Sequence, residues 1–232
     1  MGRYQNSQIF QLREIGLGLT FIGGFIDAYT FVQRGGVLAA GQTGNLIFLS
    51  VDVAQRDLPG VLTKLATVLA FMLGVVAVRI WEYHIRPRSH YWRLISLLSE
   101  LIVCGIVGGL PASVPNYMVT PPLALVMAMQ TTAFGTISGH GYNNVFSTGN
   151  LKKATSALTA YGMSSDPAQL VTSQVYFELV GAFAGGAIMS ALLQNWWGTR
   201  TIWVAAGVVV LVGGYYVGLL FRRARDTENQ KN

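Results

Sequence analysis

The tripeptide Thr-Gly-Asn occurs twice, as Thr43-Gly44-Asn45 and as Thr148-Gly149-Asn150, each time behind a charge-poor segment and a glycine-containing loop. Its residue types suit the start of a helix that meets a ligand. Thr43 and Thr148 can act as N-caps, accepting a free backbone N–H of the first turn. Gly44 and Gly149 let a backbone or a ligand approach closely, and Asn45 and Asn150 supply amides with donors and acceptors. A helix start also presents unpaired N–H groups and a partial positive charge, which suits an anion or a polar solute. A single copy reads as a cap and a packing contact. Two copies at matching places favour a binding role.

Three carboxylates stand within apolar runs: Asp27 in GGFIDAYTF, Glu100 in LLSELIVC and Glu178 in VYFELVGAF. An intramembrane carboxylate is costly, faces protein or water, and is a functional candidate by default. Asp27 follows Gly23-Gly24 and precedes the first TGN, which fits a proton or cation site or an anchor for the loop between them. Glu100 and Glu178 are further candidates for proton or ion coupling. Gln130, with Thr131-Thr132, takes the place of an acid in the second half and would complete a polar path opposite Asp27. His84, His90 and His140 lack metal-ligand spacing. There is no P-loop, dinucleotide-binding glycine pattern or nucleophile elbow, so neither an enzyme, a metal nor a cofactor is expected.

These residues are carried by a chain of 232 residues that is 52% hydrophobic and only 11% charged. With a mean hydropathy of +0.44 and apolar runs near twenty residues recurring throughout, several transmembrane helices are expected. Six spans are predicted, at about Ile15 to Val32, Val61 to Ile85, Leu94 to Leu110, Leu123 to Ser138, Thr172 to Leu193 and Thr201 to Phe221. All seven prolines are placed in loops or at helix starts. Arg79, Glu82 and Arg86 read as an interfacial ladder. Trp81, Tyr83, Tyr91, Trp92, Trp196, Trp197 and Trp203 read as aromatic belts. Cys104 is the single cysteine, which excludes an intrachain disulfide. The N-terminus lacks the pattern of a cleaved leader and is expected to be retained.

The TGN segments are poor spans, because Asp52 ends the first and Lys152-Lys153 follow the second motif directly. Both are expected to be short or re-entrant half-helices. If neither crosses, one side holds Arg3, Arg13, Arg86, Arg88, Arg93, Lys152, Lys153, Arg222, Arg223, Arg225 and Lys231, and the other Arg34, Arg56, Lys64 and Arg200. This eleven-to-four bias is the one expected of a cytoplasmic face. It also accounts for the net charge of +6 without nucleic acid. The expected fold is therefore an all-α integral membrane protein. Six transmembrane helices and two half-helices form two inverted 3+3 repeats (about 14–110 and 119–221), within a single membrane domain spanning 1–232 and ending in a basic tail, 222–232. The halves align with Asp27-Ala28 on Thr132-Ala133, Gly36 on Gly141 and Gly74 on Gly181. Gly181, Gly185 and Gly186 would let helices pack within or between protomers, as in a homo-oligomer.

The run GGFIDAYTF, a glycine-containing loop, TGNLIFLSV and a second TGN together resemble the YoaK-like family of bacterial multi-pass membrane proteins, a domain-of-unknown-function group. The resemblance covers about Glu14 to Phe221. It implies a six-span protein of the cytoplasmic membrane, with both termini cytoplasmic on the charge count, and implies no established substrate. Inverted repeats with discontinuous helices are a recurring transporter design with the site at the repeat interface. The leading expectation is a secondary transporter of a small polar or anionic solute, with the lipid bilayer and a small molecule or ion as partners. A passive channel of hourglass layout and a non-transporting scaffold or sensor are the alternatives.

Overall fold

The computed structural model describes residues 9–85, 91–137, 139–145 and 147–229, without the side chains of 224 and 226–229. Expectations for Arg3, Arg86, Arg88, His90, Ser138 and Lys231 lie outside the described residues. Eight helices carry the fold: α1 (Arg13–Gln33), α2 (Gln42–Gln55), α3 (Leu58–Ile85), α4 (Leu94–Gly109), α5 (Asn116–Ala133), α6 (Ser147–Ser164), α7 (Pro167–Trp197) and α8 (Ile202–Asn229). Short 3-10 turns occupy Ile9–Gln11 and Gly198–Thr201. A two-residue antiparallel hairpin, β1 (Thr136–Ile137) with β2 (His140–Gly141), follows α5. The sequence reading had no strand there. The turn depends on Gly139 at φ +81, a left-handed conformation that glycine adopts without steric cost.

Local chemistry explains most boundaries. α1 stops before Gly35 and Gly36, at φ +80 and +66. α7 starts on Pro167, with the Asp166 carboxylate accepting the Ala168 N–H at 3.0 Å, a cap joined to a first-position proline. Each short helix passes into the next long one through one left-handed non-glycine residue, Arg56 (φ 60) after α2 and Ser165 (φ 54) after α6. Two expectations are corrected. α5 begins at Asn116 rather than near Leu123, so Pro121 and Pro122 lie inside its second turn, where each removes an intrahelical hydrogen bond. Thr43 and Thr148 are not N-caps. Helices α2 and α6 start one residue earlier, at Gln42 and Ser147, and both threonines stand exposed.

By length and composition, three stretches among the described residues could cross a membrane: Arg13–Gln33, Leu58–Ile85 and the long run Pro167–Arg223, which contains α7, the 3-10 turn and most of α8. α4 is a shorter apolar helix. α2, with 14 residues, rises about 21 Å, short of a hydrocarbon core of about 30 Å. α1 is mostly buried and forms the centre of the molecule. Leu65, Leu69, Met72 and Leu73 of α3 and Ile188 and Leu192 of α7 are exposed, the outward apolar surface expected of helices that face lipid.

The helix contacts have a regular pattern. α1 packs along α7 and α3 along α5, α2 lies on α3 and α6 on α7, α4 meets α5 and α8 meets α1, and α4 and α8 meet each other. Exchanging α1–α4 for α5–α8 turns this set into itself. The closest approaches are made by glycines. Gly24 and Gly186 abut the backbones of Phe183 and Phe21, and Gly74 abuts Leu125 and Ala128. The expected pairing of Gly74 with Gly181 is corrected: Gly181 has open space around it, and the glycine in the equivalent contact is Gly186.

Helix directions follow from contacts at separated levels. Arg13 with Glu178 and Tyr29 with Thr199 make α1 and α7 parallel. Thr67 with Thr120 and Gly74 with Leu125 make α3 and α5 parallel. Leu19 with Gln130 and Gly35 with Asn116 make α1 and α5 antiparallel. It follows that α1 opposes α3 and α5 opposes α7, so neither α2 nor α6 makes a net traverse of the bundle.

Candidate functional site

The loop between α1 and α2 runs through the interior, so its backbone N–H groups need partners within the protein. Three side chains take three consecutive donors. The Asn45 Oδ1 accepts from Leu38 N at 2.8 Å, the Thr30 Oγ1 from Ala39 N at 3.1 Å and the Asp27 Oδ1 from Ala40 N at 2.7 Å. The Asn45 Nδ2 donates back to Leu38 O at 2.6 Å and to Gln42 Oε1 at 3.0 Å. Asp27 thus sets a carboxylate beside the first turn of α2, where the helix dipole favours negative charge. This is the anchoring role, with the anion supplied by the protein itself.

The second junction repeats part of this. The Asn150 Nδ2 donates to Asn143 O at 2.7 Å, seven residues back, the same separation as from Asn45 to Leu38. The Asn143 Oδ1 accepts from Val145 N at 3.0 Å and Thr131 Oγ1 at 3.2 Å, which ties the loop to α5. The carboxylate is missing here. Thr132, aligned with Asp27, turns its hydroxyl to Ala128 O at 2.7 Å within its own helix, and no acidic residue lies in the first turn of α6.

Two amides at this second junction retain bonding capacity. Gln130 is fully buried; its Nε2 donates to Leu19 O at 3.2 Å, and its Oε1 has no partner among the described residues. Asn144 is 1% exposed, with neither Nδ2 nor Oδ1 partnered among the described residues. The Asn144 backbone carbonyl lies against Gly23 of α1, one turn from the Leu19 carbonyl that Gln130 binds. Gly23 and Asp27 are likewise one turn apart, about 6 Å along the axis, so both junctions lean on one short stretch of α1.

The sequence-selected residues therefore fall into two groups. Asp27 and Asn45 gather at the first junction, Gln130 and Asn150 at the second. Gly44 is half-buried and packs on Leu38 and Phe48, while Gly149 is exposed. The other two carboxylates lie elsewhere. Glu178 is half-exposed and forms a bidentate ion pair with Arg13, about 21 Å along α1 from Asp27. Glu100 is fully buried on α4, with neither oxygen partnered among the described residues.

Several residues were not singled out from sequence. Asn143 and Asn144 were legible as a polar pair seven and six residues before Asn150. Lys64 and Arg34, counted as exterior loop charges, are buried: Lys64 pairs with Asp52 at 2.5 Å, and Arg34 is 0% exposed. Trp92, expected in an interfacial belt, is in the core, where the neighbouring Arg93 guanidinium covers the Phe10 ring and donates to Ala133 O at the end of α5.

The chain matches the family described as "Protein of unknown function (DUF1275)" over residues 15–215. No curated protein and no solved structure matches it.

Proposed function

The chain belongs to the DUF1275 family, and on that premise we propose that it is a secondary transporter of a small polar or anionic solute in the cytoplasmic membrane of a bacterium. The YoaK-like resemblance fits this membership. In this reading α1, α3, α4, α5, α7 and α8 cross the bilayer, and α2 and α6 enter from opposite faces without crossing. The halves are inverted 3+3 repeats. The opposed directions of α1 and α3, and of α5 and α7, support it, as does the exchange of contacts between halves.

The observation that carries the functional reading is the second junction. Gln130 and Asn144 hold buried polar atoms without partners among the described residues, beside a helix start whose counterpart in the first half is occupied by Asp27. Buried polar groups are normally paired, so those that are not are suited to a solute. Gln130 and Asn144 would contact it, Asn150 would hold the loop in place, and the N–H groups of Thr148 and Gly149 would receive negative charge. At the first junction Asn45 forms the matching wall, with Asp27 fixing the loop. Glu100 is the carboxylate whose unpartnered oxygens best suit proton or ion coupling, since Asp27 and Glu178 are engaged.

Uptake or transport current in proteoliposomes, screened over small carboxylates, inorganic anions and neutral polar solutes, tests the reading. Gln130→Leu and Asn144→Leu are expected to lower transport about tenfold or more, the effect of one lost buried hydrogen bond to the solute. Full activity in both, with normal folding, removes the junction from the mechanism. A second reading, a non-transporting scaffold or sensor, draws support from the first junction, where protein groups satisfy the loop and the start of α2. It requires no flux of any solute in the wild type.

A further inference from the structure

Arg34 is the largest fully buried side chain among the described residues. It caps the C-terminal end of α1, its backbone N–H bonding to Thr30 O. Among the described residues its guanidinium has one hydrogen bond, from Nη2 to the Tyr29 hydroxyl oxygen at 3.5 Å, while Nε and Nη1 have none. None of the ion pairs among the described residues includes it. A guanidinium cannot shed its charge as a buried carboxylate or amine can. Isolated charge in the interior is strongly unfavourable unless an anion compensates it. The negative end of the α1 dipole offsets part of this, but no α1 carbonyl bonds the guanidinium nitrogens.

The surroundings supply further donors. The Tyr29 hydroxyl donates to Thr199 O at 3.0 Å, so its remaining lone pair faces Arg34 and the α1 end is fastened to the 3-10 turn Gly198–Thr201. Two residues along that turn, Thr201 is fully buried, with its Oγ1 unpartnered among the described residues. We propose that Arg34, with the Thr201 hydroxyl, forms a binding site for a small oxyanion, a carboxylate or nitrate, between the end of α1 and the 3-10 turn that precedes α8. The N–H of Nη2 that is not given to Tyr29 pairs with Nε–H or Nη1–H along one edge of the guanidinium, which matches the two oxygens of a planar oxyanion, and full burial restricts the ligand to a compact one. The site is separate from the α6 junction and stands whether or not the chain transports a solute.

The test is thermal unfolding of the full chain in neutral detergent, followed by tryptophan fluorescence, in gluconate buffer of constant ionic strength titrated with nitrate, formate or acetate. A ligand that binds only the folded state raises the melting temperature saturably. Such a rise is expected in the wild type with at least one of the three anions, lost in Arg34→Gln and weakened about tenfold in Thr201→Val. Absence of a saturable rise in the wild type overturns the site, as does an unchanged titration in Arg34→Gln. Where Arg34→Gln does not fold, Thr201→Val decides: a weakened titration upholds the site and an unchanged one overturns it. A second arm adds phosphatidylglycerol micelles instead of free anion; a rise there alone assigns the guanidinium to a lipid headgroup and overturns the free-anion site.

Discussion

The side chain of Asp27 holds two elements in register. Its carboxylate takes the Ala40 N–H of a buried loop and lies beside the start of α2. Asp27→Ala leaves that donor without an acceptor, which costs about 1–3 kcal/mol. Asp27→Asn retains a carbonyl acceptor and loses only the charge at the helix start, about 0.3–1 kcal/mol. Thermal unfolding in detergent should rank wild type above Asp27→Asn and Asp27→Asn clearly above Asp27→Ala. Equal melting of Asp27→Ala and wild type would remove the anchoring role. Asn45→Ala should fall in the same range as Asp27→Ala, because the amide both donates to and accepts from Leu38. The paired TGN was legible as a repeat, and Asp27 as an anchor, because both are written in residue type and spacing. The roles inside the tripeptide were not. Helix α2 begins two residues earlier than a threonine cap requires, so Thr43 is exposed and only the asparagine faces inward. That choice depends on rotation about the helix axis, which packing sets.

At the level of elements, the short helices are fastened to the long ones by different chemistry in each half. Lys64 on α3 pairs with Asp52 on α2, with side chains 7% and 12% exposed. In the second half Ser173 on α7 donates to the Ala154 carbonyl of α6 at 2.9 Å. Lys64→Met strands a buried carboxylate and should destabilise the fold by about 3–5 kcal/mol, whereas the Lys64→Met/Asp52→Leu double variant recovers most of that loss. Denaturation of the wild type and the two variants checks this, and a double variant no more stable than Lys64→Met would contradict it. The helix pairs rest on glycine instead. Gly186→Val would drive side-chain atoms into the Phe21 backbone and part α1 from α7, while Gly181→Ala has open space. Gly186→Val should abolish a monodisperse peak in size-exclusion chromatography and Gly181→Ala should leave it unchanged. Charge counting along the chain could not find the Lys64–Asp52 pair, because it assigns a side to each basic residue but no depth. Nor could it find that α5 accommodates Pro121 and Pro122. The helix starts before them, at Asn116, and is held at its far end by Arg93.

For the whole molecule, the decisive quantity is the parity of crossings. α1 and α7 run parallel, α3 and α5 run parallel, and α1 opposes α5. If only one of the two short helices crossed the bundle, one of these relations would fail. If both crossed, α1 would run with α3, and α5 could not then be parallel to α3 while opposing α1. Only the arrangement in which neither crosses satisfies all three. It also gathers the polar fastenings of Arg13 to Glu178 and Arg93 to Ala133 toward one face, and those of Tyr29 to Thr199 and Trp203 to Gly105 toward the other. The first face carries Lys152, Lys153, Arg222 and Arg223, and in the proposed orientation it is the cytoplasmic one. Reporter fusions after Pro87, which lies outside the described residues, and after Met163, at the end of α6, should therefore both report cytoplasm. A fusion after Ala112, between α4 and α5, should report the opposite side. Opposite signals after Pro87 and Met163 would break the parity argument, and with it the reading of the two halves as inverted repeats, while external signals after both would overturn the orientation.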